Sequence, residues 1–179
     1  MYRSMLVGAL VAASAVATPA LSFFPSQDEF HASLAGFNEL GELNNETGAI
    51  LSNGTGTLDL KLDRNSQTIT FTLKFQNLTS AVTQSHIHFG KAHNAGGIMV
   101  FFCSNLPNPP SGTQPCPASG GTVTGTLTAA SVQAIATQNV TAGDFDAIAD
   151  ALLSDTAYVN VHTSKFPAGE IRGQVERAF

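Results

Sequence analysis

The stretch TLDLKLDRNSQTITFTLKF, Thr57 to Phe75, constrains the fold more tightly than any other part of the chain. Leu58, Leu60 and Leu62 alternate with Asp59 and Lys61. Beyond the polar DRNSQ, Ile69, Phe71, Leu73 and Phe75 alternate with Thr70, Thr72 and Lys74. Successive side chains of a strand point to opposite faces, so this alternation on both sides of a polar turn predicts an antiparallel hairpin with one buried face. Short apolar segments follow at regular spacing: SHIHFG, GGIMVFFC, GTVTGTLT, AYVNVHT and GEIRGQVE. Pro167-Ala168-Gly169 is a turn signal that should join the last two as a second hairpin. One segment, TAGDFDAIADALLSD, breaks the pattern. It sets Phe145, Ile148, Ala149, Leu152 and Leu153 at helical spacing, with Thr141 and Asp144 suited to cap the start. The expected class is mostly β, an antiparallel Greek-key sandwich or barrel with one short helix across an open end.

The first residues have the layout of a secretory leader: Arg3, an apolar run from Met5 to Val16, and the small-x-small Ala15-Val16-Ala17. Residues 1–17 are read as a signal peptide cleaved near Ala17, and residues 27–179 as a single domain. The apolar run is shorter than the roughly 20 residues a spanning helix needs, so no transmembrane segment is expected in the mature protein. In an exported chain the two cysteines, Cys103 and Cys116, are most simply a disulfide closing the Pro/Gly-rich loop between them. Asn45, Asn53, Asn77 and Asn139 stand in Asn-x-Ser/Thr sequons and are N-glycosylation candidates. Net charge is −5 with no basic run, which leaves nucleic-acid binding without an electrostatic footprint.

Three of the five histidines fall between Gln84 and Gly97. In SHIHFG, alternation sends Ile87 and Phe89 to one face and His86 and His88 to the other, roughly 7 Å apart at Cβ. In YVNVHT, Val159 and Val161 face the core while Tyr158, Asn160 and His162 face away. Were the two strands neighbours, His86, His88 and His162 would converge on the outer face of the barrel. Three neutral imidazoles suit copper, and zinc less so. His93 is a candidate fourth ligand, and His31 reads as merely exposed. Glu170 and Arg172 share a face near the end of the chain. They are either a surface charge pair or partners of the metal site, with Glu170 accepting from a histidine N–H. No nucleophile elbow, phosphate loop, Cys-His pair or close pair of acids occurs, so no catalytic residue is assigned.

In this order, FHASLAGFNELGE, TGTLDLKL, the long FTLKFQNLTSAVTQSHIHFGKAHNAGGIMVFF, GTVTGTLT and AYVNVHTSKFPAGEIRGQV resemble the CHRD domain, the module named after chordin. The resemblance runs from about Phe30 to Val175. The chain departs from it in the Cys103–Cys116 insertion and in Leu40-Gly41, where a Val-Pro-Pro type sequence is common. What the resemblance implies is a fold and a location, a secreted, extracellular β-rich module, more than a reaction. Together with the absence of catalytic machinery it leads to the expectation of a non-catalytic binding or structural module, its partner an extracellular protein or, from the Thr/Asn-rich surface, a cell-wall polymer. SHIHFG and VNVHT are also similar to the copper-ligand segments of copper/zinc superoxide dismutases. On that mapping His86, His88 and His162 would hold copper. An enzyme of this kind would be a copper-dependent oxidoreductase of superoxide dismutase type.

Overall fold

The computed structural model describes residues 27–40 and 48–178. The leader and the Asn45 sequon lie outside them. Nine strands form one antiparallel sheet: β1 (Gln27–Ala35), β2 (Thr55–Asp63), β3 (Thr68–Gln76), β4 (Val82–Phe89), β5 (Gly97–Ser104), β6 (Gly121–Leu127), β7 (Ala157–Thr163), β8 (Ile171–Gln174) and β9 (Glu176–Arg177). Their spatial order is β5-β4-β7-β8-β1-β2-β3-β6, with β9 paired to β1. The ends of this order, β5 and β6, approach each other, and the sheet curls into a nearly closed barrel.

The expected hairpin is β2–β3. It pairs Leu58 with Leu73, Leu60 with Phe71 and Leu62 with Ile69, and all six side chains are buried. β1 is a strand that the periodicity reading leaves out. Phe30, Ala32 and Leu34 are buried while Glu29, His31 and Ser33 are exposed, so it follows the same alternation. It occupies the middle of the sheet, pairing β2 along its length and reaching β8 and β9 with its other edge. The interior fills with these residues together with Ile87, Val159, Val161 and Ile171.

The helix α1 spans Phe145–Leu153 and buries Phe145, Ile148, Ala149, Ala151 and Leu152. Asp144 starts it, its carboxylate accepting from the Ala147 N–H at 3.0 Å and satisfying one of the free donors of the first turn. No helix among the described residues is long and apolar enough to cross a membrane.

Cys103 and Cys116 form the expected disulfide. The loop it closes lies in the seam between the two end strands. The Ser104 N–H donates to the Gln114 carbonyl, and the Gln114 side-chain amide donates to the Thr124 carbonyl of β6. The insertion thus contributes hydrogen bonds that the two edges do not make with each other.

Candidate metal centre

β4 and β7 are neighbours, the condition on which convergence of the histidines depends. Their register sets His86 opposite Asn160, His88 opposite Tyr158 and Gln84 opposite His162. β8 then places Arg172 beside Asn160. On the other side, the ladder between β4 and β5 shifts register between Ser85 and His86 and again between Ile87 and His88. Such bulges re-aim side chains. Here they bring Phe101 against His86, ring centroids 4.6 Å apart.

The alternation places the imidazoles correctly, on the face away from Ile87, but that face is not solvent-exposed. His86, His88 and His162 are 0%, 8% and 6% exposed. Their cover comes from outside the two strands. Residues 90–96 fold back over the site, and a Cβ on Gly96 would run into the Phe89 carbonyl. Gln138 holds this loop at both ends, accepting from the Gly97 N–H and donating to the Phe89 carbonyl, each at 2.7 Å. The turn after β7 covers His162, and Tyr158 stacks parallel on His88 with centroids 4.7 Å apart. Arg172 lies with its Cζ 3.4 Å from the centre of the Tyr158 ring and donates to the Lys91 and Asn94 carbonyls.

One ring nitrogen from each of His86, His88 and His162 comes within 4.8 Å of the others. Among the described residues this is the set of three metal-ligating side chains so brought together, and His93 is not in it. His93 is exposed on the covering loop and lines a separate groove with His31, Asn38 and Glu176. His31 is exposed, as expected, and pairs with Asp59 at 2.8 Å.

The hydrogen bonds determine which nitrogens face inward. His88 Nδ1 lies 2.9 Å from the Gly96 carbonyl and His162 Nδ1 lies 2.8 Å from the Pro167 carbonyl. A carbonyl only accepts, so both Nδ1 atoms carry the proton of a neutral ring and both Nε2 atoms present lone pairs. This is how an outer hydrogen bond orients a metal-binding histidine. His86 Nδ1 lies 3.2 Å from His88 Nε2, and its own Nε2 is buried without a partner. Burial, with His162 and His88 adding to it, lowers His86 to about 2. Burial likewise lowers His88 to about 4 against the bond to Gly96, and holds His162 below its ordinary range against the bond to Pro167. All three rings are therefore neutral across the physiological range.

Glu170 and Arg172 do not pair with each other, and neither is at the surface. The Glu170 carboxylate accepts from Ser52 Oγ, the Thr79 N–H and hydroxyl, and Thr163 Oγ at 2.6 to 3.0 Å. Strand alternation carries Thr163 to the face opposite His162, so Glu170 is drawn away from the imidazoles. The His88 and His162 N–H groups go to main-chain carbonyls instead. Burial works against the Glu170 charge, but the hydrogen bonds outweigh it and hold the group below the usual carboxylate range.

The carboxylate that does approach the site is Glu39, just past β1. It is 5% exposed, and the Arg172 charge, the Leu40 N–H and Asn160 lie close enough to favour its ionised form. Burial raises it to about 7 despite these partners, and its Oε1 is left unpartnered. A Cβ on Gly169 would collide with it, and Gly169 has φ +132, open to glycine and strained for other residues. Asn160 is the second residue that the histidine motifs do not flag. Its facing is readable from YVNVHT, but its part in the site is not.

A family model described as CHRD domain matches residues 30–175, nearly the whole chain. The chain belongs to the CHRD domain family. Comparison with curated proteins and with solved structures finds no match. The architecture of this CHRD domain therefore rests on its own strand order. Its match takes in β1 from Phe30 through β8 and ends at Val175, so Glu39, the histidine triad, Asn160 and Arg172 all lie inside the family-defining region.

Proposed function

We propose that this CHRD domain is a secreted, non-catalytic extracellular module that binds a copper ion through His86, His88 and His162. The observation that carries the reading is the convergence of three buried imidazole nitrogens within 4.8 Å, two of them held as lone-pair donors by the Gly96 and Pro167 carbonyls. Buried lone pairs with no donor are costly unless a cation takes them. An all-imidazole, uncharged set favours copper, with zinc the weaker fit. The burial of all three rings supports holding the ion over turning over a substrate. Superoxide dismutase-type chemistry needs an open coordination position that a reactant can reach.

The leader and the disulfide support secretion. Asn53, Asn77 and Asn139 are exposed and could carry glycans after export. The partners of such a module are extracellular proteins or cell-wall polymers. The test is the metal content of protein secreted into copper- and zinc-replete medium, beside that of a His88→Ala variant. Stoichiometric copper in the wild type and its loss from the variant are expected. Equal content in both would remove the copper reading and leave the module without a metal.

A further inference from the structure

The seam between β5 and β6 holds a cavity of about 380 Å³ that the histidine site does not use. Phe71, Phe101 and Phe102 line its apolar part, and Phe101 is the most exposed of the three. Phe71 belongs to the barrel interior, its ring 4.6 Å from that of Phe102, and Gly125 stands opposite it in the ladder. A Cβ on Gly125 would come within 2.8 Å of the Phe71 ring. Glycine weakens a strand interior, and here it gives an aromatic ring room to reach the cavity. Every polar side chain of the lining is a hydroxyl or an amide, and none of the described residues around it carries a charge. The walls are held in place before anything binds. The disulfide closes the loop that carries Gln114, and the Ser104 N–H donates to the Gln114 carbonyl. The Gln133 N–H donates to the Met99 carbonyl at 2.8 Å. Each glutamine also gives its side-chain NH2 to a main-chain carbonyl, of Thr124 at 3.0 Å and of Ser131 at 2.9 Å. The amide oxygens of both are left without a partner among the described residues.

A charged ligand entering here would lose hydration with nothing of opposite sign to replace it. The occupant that fits is uncharged, rests an apolar face on aromatic rings and offers hydroxyls to amide oxygens. A hexose meets all three conditions. The C–H groups of its ring faces are drawn to the negative face of an aromatic ring, and its hydroxyls donate and accept around the edge. β-Linked chains of glucose or N-acetylglucosamine keep their substituents equatorial and so keep those faces flat. The volume falls within the roughly 300–1,000 Å³ of small-ligand sites. Ser111, Gly112, Thr126 and Thr128 are exposed at the rim, which leaves a longer chain room to continue into solvent. We propose that the β5–β6 seam is a binding site for a neutral β-linked hexose chain, with Phe101 as its stacking platform and Gln114 and Gln133 as acceptors for its hydroxyls. The inference rests on the reading of the chain as an extracellular binding module, names the polymer chemistry that module takes, and does not depend on copper.

The test titrates the full secreted protein with laminarihexaose, cellohexaose and chitohexaose by calorimetry, with an oligogalacturonate as the charged control. Sedimentation with insoluble β-glucan and chitin follows. At least one neutral hexasaccharide is expected to bind, and the charged control is not. Phe101→Leu keeps the apolar bulk without the aromatic face, and Gln133→Leu removes the amide. Each is expected to weaken binding about 10-fold. Should either fail to fold, Thr126→Arg blocks the mouth from an exposed position and is expected to do the same. Binding of the soluble probes together with the insoluble polymer supports a wall ligand, and binding of the soluble probes alone supports a free oligosaccharide at the same site. Mass spectrometry of the recovered saccharide separates the site from the module reading. An intact chain supports both, whereas a shortened one would keep the site and overturn the non-catalytic reading. No binding of any neutral saccharide, or unchanged affinity in every variant, would overturn the site and leave the module and its copper centre as they stand.

Discussion

Each histidine of the triad is neutral because it is buried, and this gives the fold a defined dependence on pH. An unfolded chain takes up protons on its histidines below about 6.5, while the folded chain resists them, at His88 down to about 4 and at His86 down to about 2. Where the unfolded state binds more protons, stability falls as pH falls. The contribution of the triad is complete above about pH 6.5 and is lost progressively on acidification toward pH 4. Glu170 acts in the same sense, since its charge is stabilised by hydrogen bonds from Ser52, Thr163 and Thr79 that protonation would weaken. Glu39 acts in the opposite sense. Its carboxyl is held up to about 7 from an ordinary 4.5, so its contribution is present at low pH and lost as pH rises through 7. Three histidines and Glu170 outweigh one glutamate. The melting temperature of the metal-free protein should therefore drop between pH 6.5 and pH 4, and His88→Asn should make that slope shallower. Thermal melts across this range check it, and parallel slopes for the two proteins would contradict it.

The elements differ in how plainly the sequence announces them. β2 and β3 are legible because Leu, Ile and Phe alternate with Asp, Lys and Thr over nine residues each. α1 is legible from its apolar spacing and from Asp144 at its cap. β1 carries the same alternation more weakly. Ala32 is a faint apolar signal between Phe30 and Leu34, and the segment lacks the turn that pairs β2 with β3. The disulfide loop is legible as a staple, and its place at the barrel seam is a matter of tertiary arrangement. Because Gln114 bridges to β5 on one side and to β6 on the other, the disulfide should stabilise more than the loop itself. Opening a loop of this size costs about 3 kcal/mol in the chain-entropy model. Cys103→Ser with Cys116→Ser is expected to lose about that much in chemical denaturation. It should also speed amide hydrogen exchange in β5 and β6 more than in β1 and β2. Uniform exchange across the sheet would separate the disulfide from the seam.

For the whole molecule, what the sequence could not convey is the cover over the site. Strand alternation tells which face a histidine takes, and it took His86, His88 and His162 to one face correctly. It does not tell whether that face is wet. The answer depends on residues 90–96 and the turn after β7 closing over the imidazoles, and on Glu39 arriving from the far end of β1. The Glu39 contact joins distant parts of the chain and has no local signature, while the two loop contacts, though near in sequence, depend on how those irregular segments close. Asn160 illustrates the same limit, since its facing is readable while its closeness to two imidazoles appears only when β4 lies against β7. His93 and Glu170 sit beside the right motifs, yet the first stays on the exposed loop and the second is taken by Ser52, Thr79 and Thr163. The central claim is that the barrel folds around a cation site, with the covering loops ordered above it. Its most direct test is an anomalous difference map at the copper edge from crystals of the secreted protein. One strong peak enclosed by His86, His88 and His162 is expected. A copper-saturated crystal with no peak there, or with copper only at His31 and His93, would contradict it.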